Sequence, residues 1–205
     1  MKAFRAKAVL FDFDGTLSKP GSLDFRVIKG ELGCPLERPV LEWILEQPEA
    51  ERLRAMERLH TFESEGAERS RPNAGAEQII KDLRAGGLKV GLITRNSLSS
   101  VARALDNFEG LSIRHMDVLV TRDDPLAPKP SPEGILHAAR KLGVEPRELV
   151  VVGDFIFDVE AGSRAGAVTV FLTNGAAGEP PQSDFRIDRL SDLEGVLRLG
   201  MEDSD

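Results

Sequence analysis

Apolar positions along this chain change their period twice. Ala8–Phe13 is a continuous apolar run broken only by Asp12, and a run that short, followed at once by a glycine turn, suits the buried central strand of a parallel sheet. From Ser18 to about Arg71 such runs stop, charges become dense, and apolar residues fall at helical spacing. Phe25, Ile28 and Leu32 share one helical face, with Gly33 and Pro35 as the stop. Val40, Leu41, Ile44 and Leu45 form a second face closed by Gln47-Pro48. Leu53, Met56, Leu59 and Phe62 mark a third helix, whose other faces carry Glu and Arg. Three amphipathic stretches in succession predict a small helical insertion over residues 18–71.

Beyond Arg71-Pro72-Asn73 the alternation becomes regular. Ile79, Ile80 and Leu83 define an amphipathic helix ended by Gly86-Gly87. Strand Leu88–Thr94, helix Ser97–Phe108, strand Met116–Thr121 and helix Ser131–Leu142 follow. Strand Leu149–Gly153, a short helix over about Val159–Ala165 and strand Ala167–Leu172 complete the series. Asn174–Asp184 is rich enough in Gly and Pro to be a loop, Leu190–Leu199 is predicted as a helix, and the terminal MEDSD as a frayed acidic tail. Strands alternating with helices of this length predict an α/β protein: a Rossmann-like open parallel sheet with helices on both faces. Its core would comprise residues 1–17 and 72–205.

Composition narrows the classes without naming one. A chain of 205 residues buries a sizeable core and by size is one domain with an insertion. Hydrophobic residues at 41% and charged residues at 30% are ordinary for a globular chain. A net charge of −7, with no basic cluster, argues against nucleic acid and anionic membranes as partners. Cys34 is the only cysteine, so neither an internal disulfide nor a thiolate zinc site can be assembled. His60, His115 and His137 stand on different segments and read as structural or surface residues. MKAFRAKAVLF lacks the apolar segment of a signal peptide, and no stretch reaches a membrane span. A cytoplasmic monomer is the expected state.

Chemistry in an open parallel sheet collects at the carboxyl ends of the strands. Asp12 and Asp14 end the first strand, Gly15 permits a sharp turn, and Thr16 adds a hydroxyl beyond it. Thr94 ends the second strand and Asp154 ends LVVVG, with Asp158 four residues on. Lys129 stands between Pro128 and Pro130, ahead of a helix that Ser131 can cap and Pro132 can open. Neighbouring carboxylates in a partly dry site repel unless a cation or a proton sits with them. Each residue taken singly also has a plainer reading: the paired acids as turn formers, Lys129 as a solvated lysine, Asp158 as a helix cap. Together, at successive strand ends, they point to a site.

These residues spell four motifs in order: DFDGT at Asp12–Thr16, Thr94, Lys129, and GDFIFD at Gly153–Asp158. The chain thereby resembles the haloacid dehalogenase-like phosphohydrolases, in the branch of phosphoglycolate phosphatases and β-phosphoglucomutases with an α-helical cap after the first motif. The resemblance implies that Asp12 is the nucleophile and Asp14 the general acid and base. It implies Mg²⁺ held by Asp12, the backbone carbonyl of Asp14 and Asp154, with Asp158 behind them orienting Lys129 or a metal-bound water. Phosphoryl oxygens would meet Gly15, Thr16, Thr94 and Lys129, with Arg95 and Asn96 also within reach of substrate. The implied activity is Mg²⁺-dependent hydrolysis of a small phosphorylated metabolite through an aspartyl phosphate.

The alternatives are a phosphomutase using the same residues and a non-catalytic binding module on the same fold. The dehalogenase branch is disfavoured because it lacks the second acid. This chain also departs from the family's usual pattern: Phe155 and Phe157 fill places where small or polar residues are common, Arg95 stands where Asn is usual, and the insertion is short. Lys19, Arg26, Arg52, Arg54 and Arg58 in the insertion could meet a second anionic group, although balancing Glu49, Glu51 and Glu57 on a charged helix is the favoured reading.

Overall fold

The computed structural model describes residues 4–178 and 181–202. Six parallel strands, β1 (Ala8–Phe11), β2 (Lys89–Ile93), β3 (Val118–Val120), β4 (Leu149–Gly153), β5 (Val168–Leu172) and β6 (Phe185–Ile187), form one sheet in the order β3-β2-β1-β4-β5-β6. Phe11 is in register with Leu92 on one side and Val152 on the other, which places β1 at the centre. Alternation on the central strands explains why they read as unbroken apolar runs. Val9, Phe11, Val150 and Val152 face one layer of helices, while Ala8, Leu10, Leu149 and Val151 face the other, and both layers exclude water.

The first layer is α4 (Ala76–Ala85), α5 (Leu98–Leu105) and α8 (Leu193–Glu202), which contribute Ile80, Val101 and Leu193 to the core. The second is α6 (Glu133–Leu142) and α7 (Ile156–Ala165), contributing Ile135 and Ala161. The chain runs from β1 outward to β2 and β3, then returns past β1 to β4. That reversal opens a crevice at the carboxyl ends of β1 and β4, where ligands of doubly wound sheets bind.

Between β1 and α4 lie α1 (Phe25–Leu32), α2 (Val40–Leu45) and α3 (Glu49–Arg69). They pack on a separate small cluster built on Ile28, Val40, Leu41, Ile44 and Leu59. The chain leaves and re-enters the sheet region at one place: Ser18 bridges Pro72 antiparallel, Lys19 N–H donates to Arg71 O at 2.9 Å, and Asn73 N–H donates to Leu17 O at 2.8 Å. Not every residue of the anticipated helical faces turns inward. Phe25, Leu45 and Leu53 are 49%, 51% and 64% exposed, because two short helices laid on one longer one enclose too little volume to cover all their apolar side chains.

Other differences are local. The helix containing Asp158 begins at Ile156 instead of Val159, and the one after Lys129 begins at Glu133, with Ser131 Oγ accepting from Glu133 N–H at 3.3 Å. β6 was not anticipated, since three residues carry no readable alternation and its pairing with β5 defines it. The loop expected over 174–184 has no regular structure at its described residues; Glu179 and Pro180 lie outside them. Met201 and Glu202 belong to α8 instead of a frayed tail, and the remainder of MEDSD lies outside the described residues.

Candidate active site

β1 stops at Phe11, and Asp12 N–H still donates to Val152 O at 2.9 Å, so the first aspartate is held at the sheet's edge by β4. Phe13 points into the core, 1% exposed and stacked on Phe108, which fixes the turn between the two acids. Gly15 then takes φ +79°, and a Cβ there would collide with the Asp154 carboxylate. Only glycine satisfies both conditions. Two asparagines that sequence reading did not single out clamp this turn. Asn73 Nδ2 donates to Thr16 O at 2.9 Å and Asn174 Nδ2 to Gly15 O at 2.8 Å, and Asn73 Nδ2 also donates to Asn174 Oδ1.

Lys129 is 4% exposed and sits at the centre of the acids. Its ammonium donates to Asp12 Oδ1 at 2.5 Å, Asp158 Oδ1 at 2.6 Å and Ile93 O at 3.1 Å, using all three donors. Burial alone would lower its pKa, but Asp12 and Asp158 outweigh burial and hold it above the ordinary lysine value. Burial drives Asp12 well above the usual carboxylate range. Lys129 opposes this, while Asp158, Asp154 and Asp14 add to it. Asp154 is pushed to about 7 by burial first and by Asp158 second. One lysine does not neutralise this many acids.

Oxygens of Asp12, Asp154 and Asp158 lie within 4.8 Å of one another, an all-oxygen donor set of the kind a hard divalent cation takes. The three are not equally free. Asp158 spends Oδ1 on Lys129 and Oδ2 on Phe155 N–H at 3.1 Å, so it is at once a helix cap and the lysine's anchor. Gly153 is required beneath it, because a Cβ there would strike the Asp158 carboxylate. Among the described residues Asp154 receives one side-chain hydrogen bond, a long 3.4 Å one from Thr16 Oγ1, and is the more available ligand.

Asp14 stands in a different environment, although it lies two residues from Asp12. Asn96 Nδ2 donates to its Oδ2 at 2.6 Å and Ser22 Oγ to its Oδ1 at 3.3 Å. Burial raises its pKa to about 6; the Asn96 bond works against this, and the charge of Glu63 adds to it. Asn96 and Arg95, both expected near substrate, thus have protein partners. Arg95 donates to Lys129 O at 2.6 Å and to Glu42 Oε2 on α2 at 2.5 Å, and its guanidinium lies 5.0 Å from the ring centre of Phe157. Thr94 Oγ1 accepts from Asn96 N–H at 3.1 Å, a bond that leaves its O–H free to donate to a ligand.

Glu63 on α3 escaped sequence reading altogether. Its buried carboxylate pairs with both terminal nitrogens of Arg122 beyond β3, and its Oε2 accepts from Ser97 N–H at 3.4 Å and Ser100 Oγ at 3.5 Å. Only its place in a run of mixed charge was visible, and that pattern ordinarily marks a solvated helix face.

A model described as a haloacid dehalogenase-like hydrolase matches residues 6–166. The chain belongs to the haloacid dehalogenase-like hydrolases. An uncharacterized hydrolase of Saccharomyces cerevisiae is 33% identical over 175 residues, covering 84% of this chain and 79% of that one. N-acetylmuramic acid 6-phosphate phosphatase of Pseudomonas aeruginosa is 31% identical, with 85% of each chain covered. The crystal structure of a hydrolase from Pseudomonas syringae shares the fold with a TM-score of 0.77 at 22% identity, over 94% of this chain and 98% of that one. Membership in this hydrolase family agrees with the order of the four motifs and with a sheet whose crevice opens at β1 and β4. Among the described residues, no helix is long and apolar enough to cross a membrane.

Proposed function

We propose that this hydrolase is a Mg²⁺-dependent phosphatase that removes the phosphoryl group from a small phosphorylated metabolite through an aspartyl phosphate on Asp12. The observation that carries the reading is the contrast between its two motif aspartates. Asp12 lies beside Lys129 among further acids, whereas Asp14 is clamped by neutral donors with a pKa near 6. Two neighbouring carboxylates driven into different environments can divide nucleophile from proton carrier.

In this reading Asp12 and Asp154, with the backbone carbonyl of Asp14, would hold Mg²⁺, which would neutralise charge on the phosphoryl oxygens and on the crowded acids. An Asp12 carboxylate oxygen attacks phosphorus as the ester P–O bond breaks, and Asp14 in its protonated form delivers the proton to the departing alkoxide. Asp14, now ionised, takes a proton from water as that water attacks phosphorus. The P–O bond to Asp12 breaks, and phosphate and the free carboxylate are restored. Lys129 holds Asp12 in place and stabilises charge on the transferring group, Asp158 holds Lys129, and the Thr94 hydroxyl binds a phosphoryl oxygen, with Gly15 and Thr16 lining the turn beside it. Residues 18–71 act as a cap over the strand ends and limit water around the intermediate. The protein works in the cytoplasm on a soluble substrate, without nucleic acid or membrane.

The test is phosphate release from a panel of phosphate monoesters, with Mg²⁺ and with chelator, by the parent and by Asp12→Asn. The expected result is Mg²⁺-dependent release that falls by at least about a thousandfold in Asp12→Asn, the scale of losing a covalent nucleophile. Turnover of Asp12→Asn at the parent's rate would remove the nucleophile assignment. Isomerised sugar phosphate instead of free phosphate would identify a mutase.

A further inference from the structure

A cavity of about 190 Å³ opens between the helical block and the ends of β2 and β3, and it shares Thr94 and Lys129 with the site described above. Leu41, Leu45 and Met56 line it from the helical block, and Leu126 lines it from the loop after β3. We propose that this cavity receives the substrate's leaving group, and that the leaving group is an uncharged, largely apolar alcohol. The proposal rests on the phosphatase reading and adds the chemical class of substrate.

Charge on the cavity's wall carries the argument. Two cations line it, Arg122 and Lys129. Arg122 is already matched to Glu63 by two contacts, with the side chains only 13% and 2% exposed. Lys129 is committed to Asp12 and Asp158. Arg95, next to the site, is taken by Glu42 and by Lys129 O. Lys19, Arg26, Arg52, Arg54 and Arg58 do not line the cavity. Among the described residues, then, the wall offers no unmatched positive charge.

A substrate with a second anionic group, such as a carboxylate or another phosphate, would have to bury that charge against leucine, methionine and at best the neutral hydroxyls of Thr94 and Thr121, without a counter-ion. Proteins pay heavily for such burial. An alkyl or aryl group meets no such penalty and gains from leaving water. Size agrees, since a cavity of about 150 Å³ already admits a benzene ring. The charge on the wall selects against a second anion, and its apolar side chains select for the alcohol.

Benzyl phosphate and 2-phosphoglycolate separate the two classes. Both leave as alkoxides, and they differ in a ring against a carboxylate. With Mg²⁺ and the full chain, kcat/KM for benzyl phosphate should exceed that for 2-phosphoglycolate by at least about tenfold, the effect of one poorly compensated buried charge. Calorimetric binding of benzylphosphonate and phosphonoacetate, which cannot turn over, should follow the same order. Leu45→Arg adds a free cation at a half-exposed lining position where folding is not at stake, and should narrow the ratio roughly three- to fivefold. Equal or better turnover of 2-phosphoglycolate overturns the inference and leaves the phosphatase reading standing. So does an unchanged ratio in a Leu45→Arg protein whose circular dichroism matches the parent. A panel in which no ester releases phosphate overturns the phosphatase reading, and this inference falls with it.

Discussion

The α/β region and the helical block are held together by different physics. In the sheet, β1 and β4 are buried on both faces, and the residues that end them inherit fixed positions from continuous apolar packing. The block has a small cluster of its own, leaves Phe25, Val27, Leu36, Leu45 and Leu53 exposed, and meets the sheet region along α3, which packs against α5, buries Ala67 in the sheet's core and adds charged and polar contacts. Glu63 with Arg122 and Glu42 with Arg95 are two of these, and Asn107 Nδ2 donating to Ala67 O at 2.8 Å is another. Apolar packing is non-directional and tolerant, whereas a buried ion pair fails when either partner is lost. Position in the core is therefore robust. Position of the block over the crevice combines the packing of α3 on α5 with ion pairs that a single substitution can break.

Lys129→Ala should break the contrast most severely, because it strips the charged anchor from the best-packed part of the molecule. It would leave Asp12 and Asp158 buried without their cation, and a loss of about 3–5 kcal/mol is expected in chemical denaturation at neutral pH. A loss below about 1 kcal/mol, the scale of an exposed pair, would mean that the cluster is solvated.

Glu63→Ala comes next and probes the other region. Arg122 would lose both its contacts with Glu63 and keep the 3.3 Å bond to Arg95 O, and about 3 kcal/mol is expected if the pair acts as a buried one. Limited proteolysis should then cut within residues 18–71 before it cuts the sheet. Simultaneous cutting of both regions would show that they unfold as one unit.

Acidity tests the core without a substitution. In the metal-free protein Asp14 stands at about 6 and Asp154 at about 7, against roughly 3.9 for an aspartate in an unfolded chain. Between about pH 4 and 7 the folded state therefore binds more protons than the unfolded one, and stability falls as pH rises through that window. Thermal melts in chelator should show the decline, and saturating Mg²⁺ should flatten it by binding the ionised acids of the folded state. Glu46 and Glu148, held below the usual range by hydrogen bonds from Arg38 and Lys7, lose their contribution only at lower pH. A metal-free melting temperature that climbs from pH 4 to 7 would contradict the burial of Asp14 and Asp154.

Leu53→Ser should have the smallest effect. Leu53 is 64% exposed, so a change within about 0.5 kcal/mol is expected despite its place on a predicted apolar face. A larger loss would show that the block packs more tightly than its exposure indicates.

Most of the candidate site's convergence could be read along the chain because it follows from the sheet. Asp12, Thr94 and Asp154 are each the residue after an apolar run, and in a parallel sheet such residues converge at one edge. Phe25 and Leu53 show the limit of the same reasoning, since helical periodicity says which residues share a face but not whether a neighbour covers it. Asn96 shows another limit. Its place after Thr94 suggested contact with substrate, and nothing in the local pattern pointed to the bond its amide makes with Asp14.

The sequence by itself determined the α/β class, the strand ends that carry the acids and the turn at Gly15, because alternation, run length and glycine's freedom are local properties of a chain. Tertiary structure alone decided how each acid is partnered and how the crevice is charged. Glu63 meets Arg122 across 59 residues, Arg95 meets Glu42 across 53, and Asn174 reaches Gly15 across 159. No local pattern selects such partners. They are chosen when the apolar layers close and bring distant polar groups into a medium where each must find a counterpart.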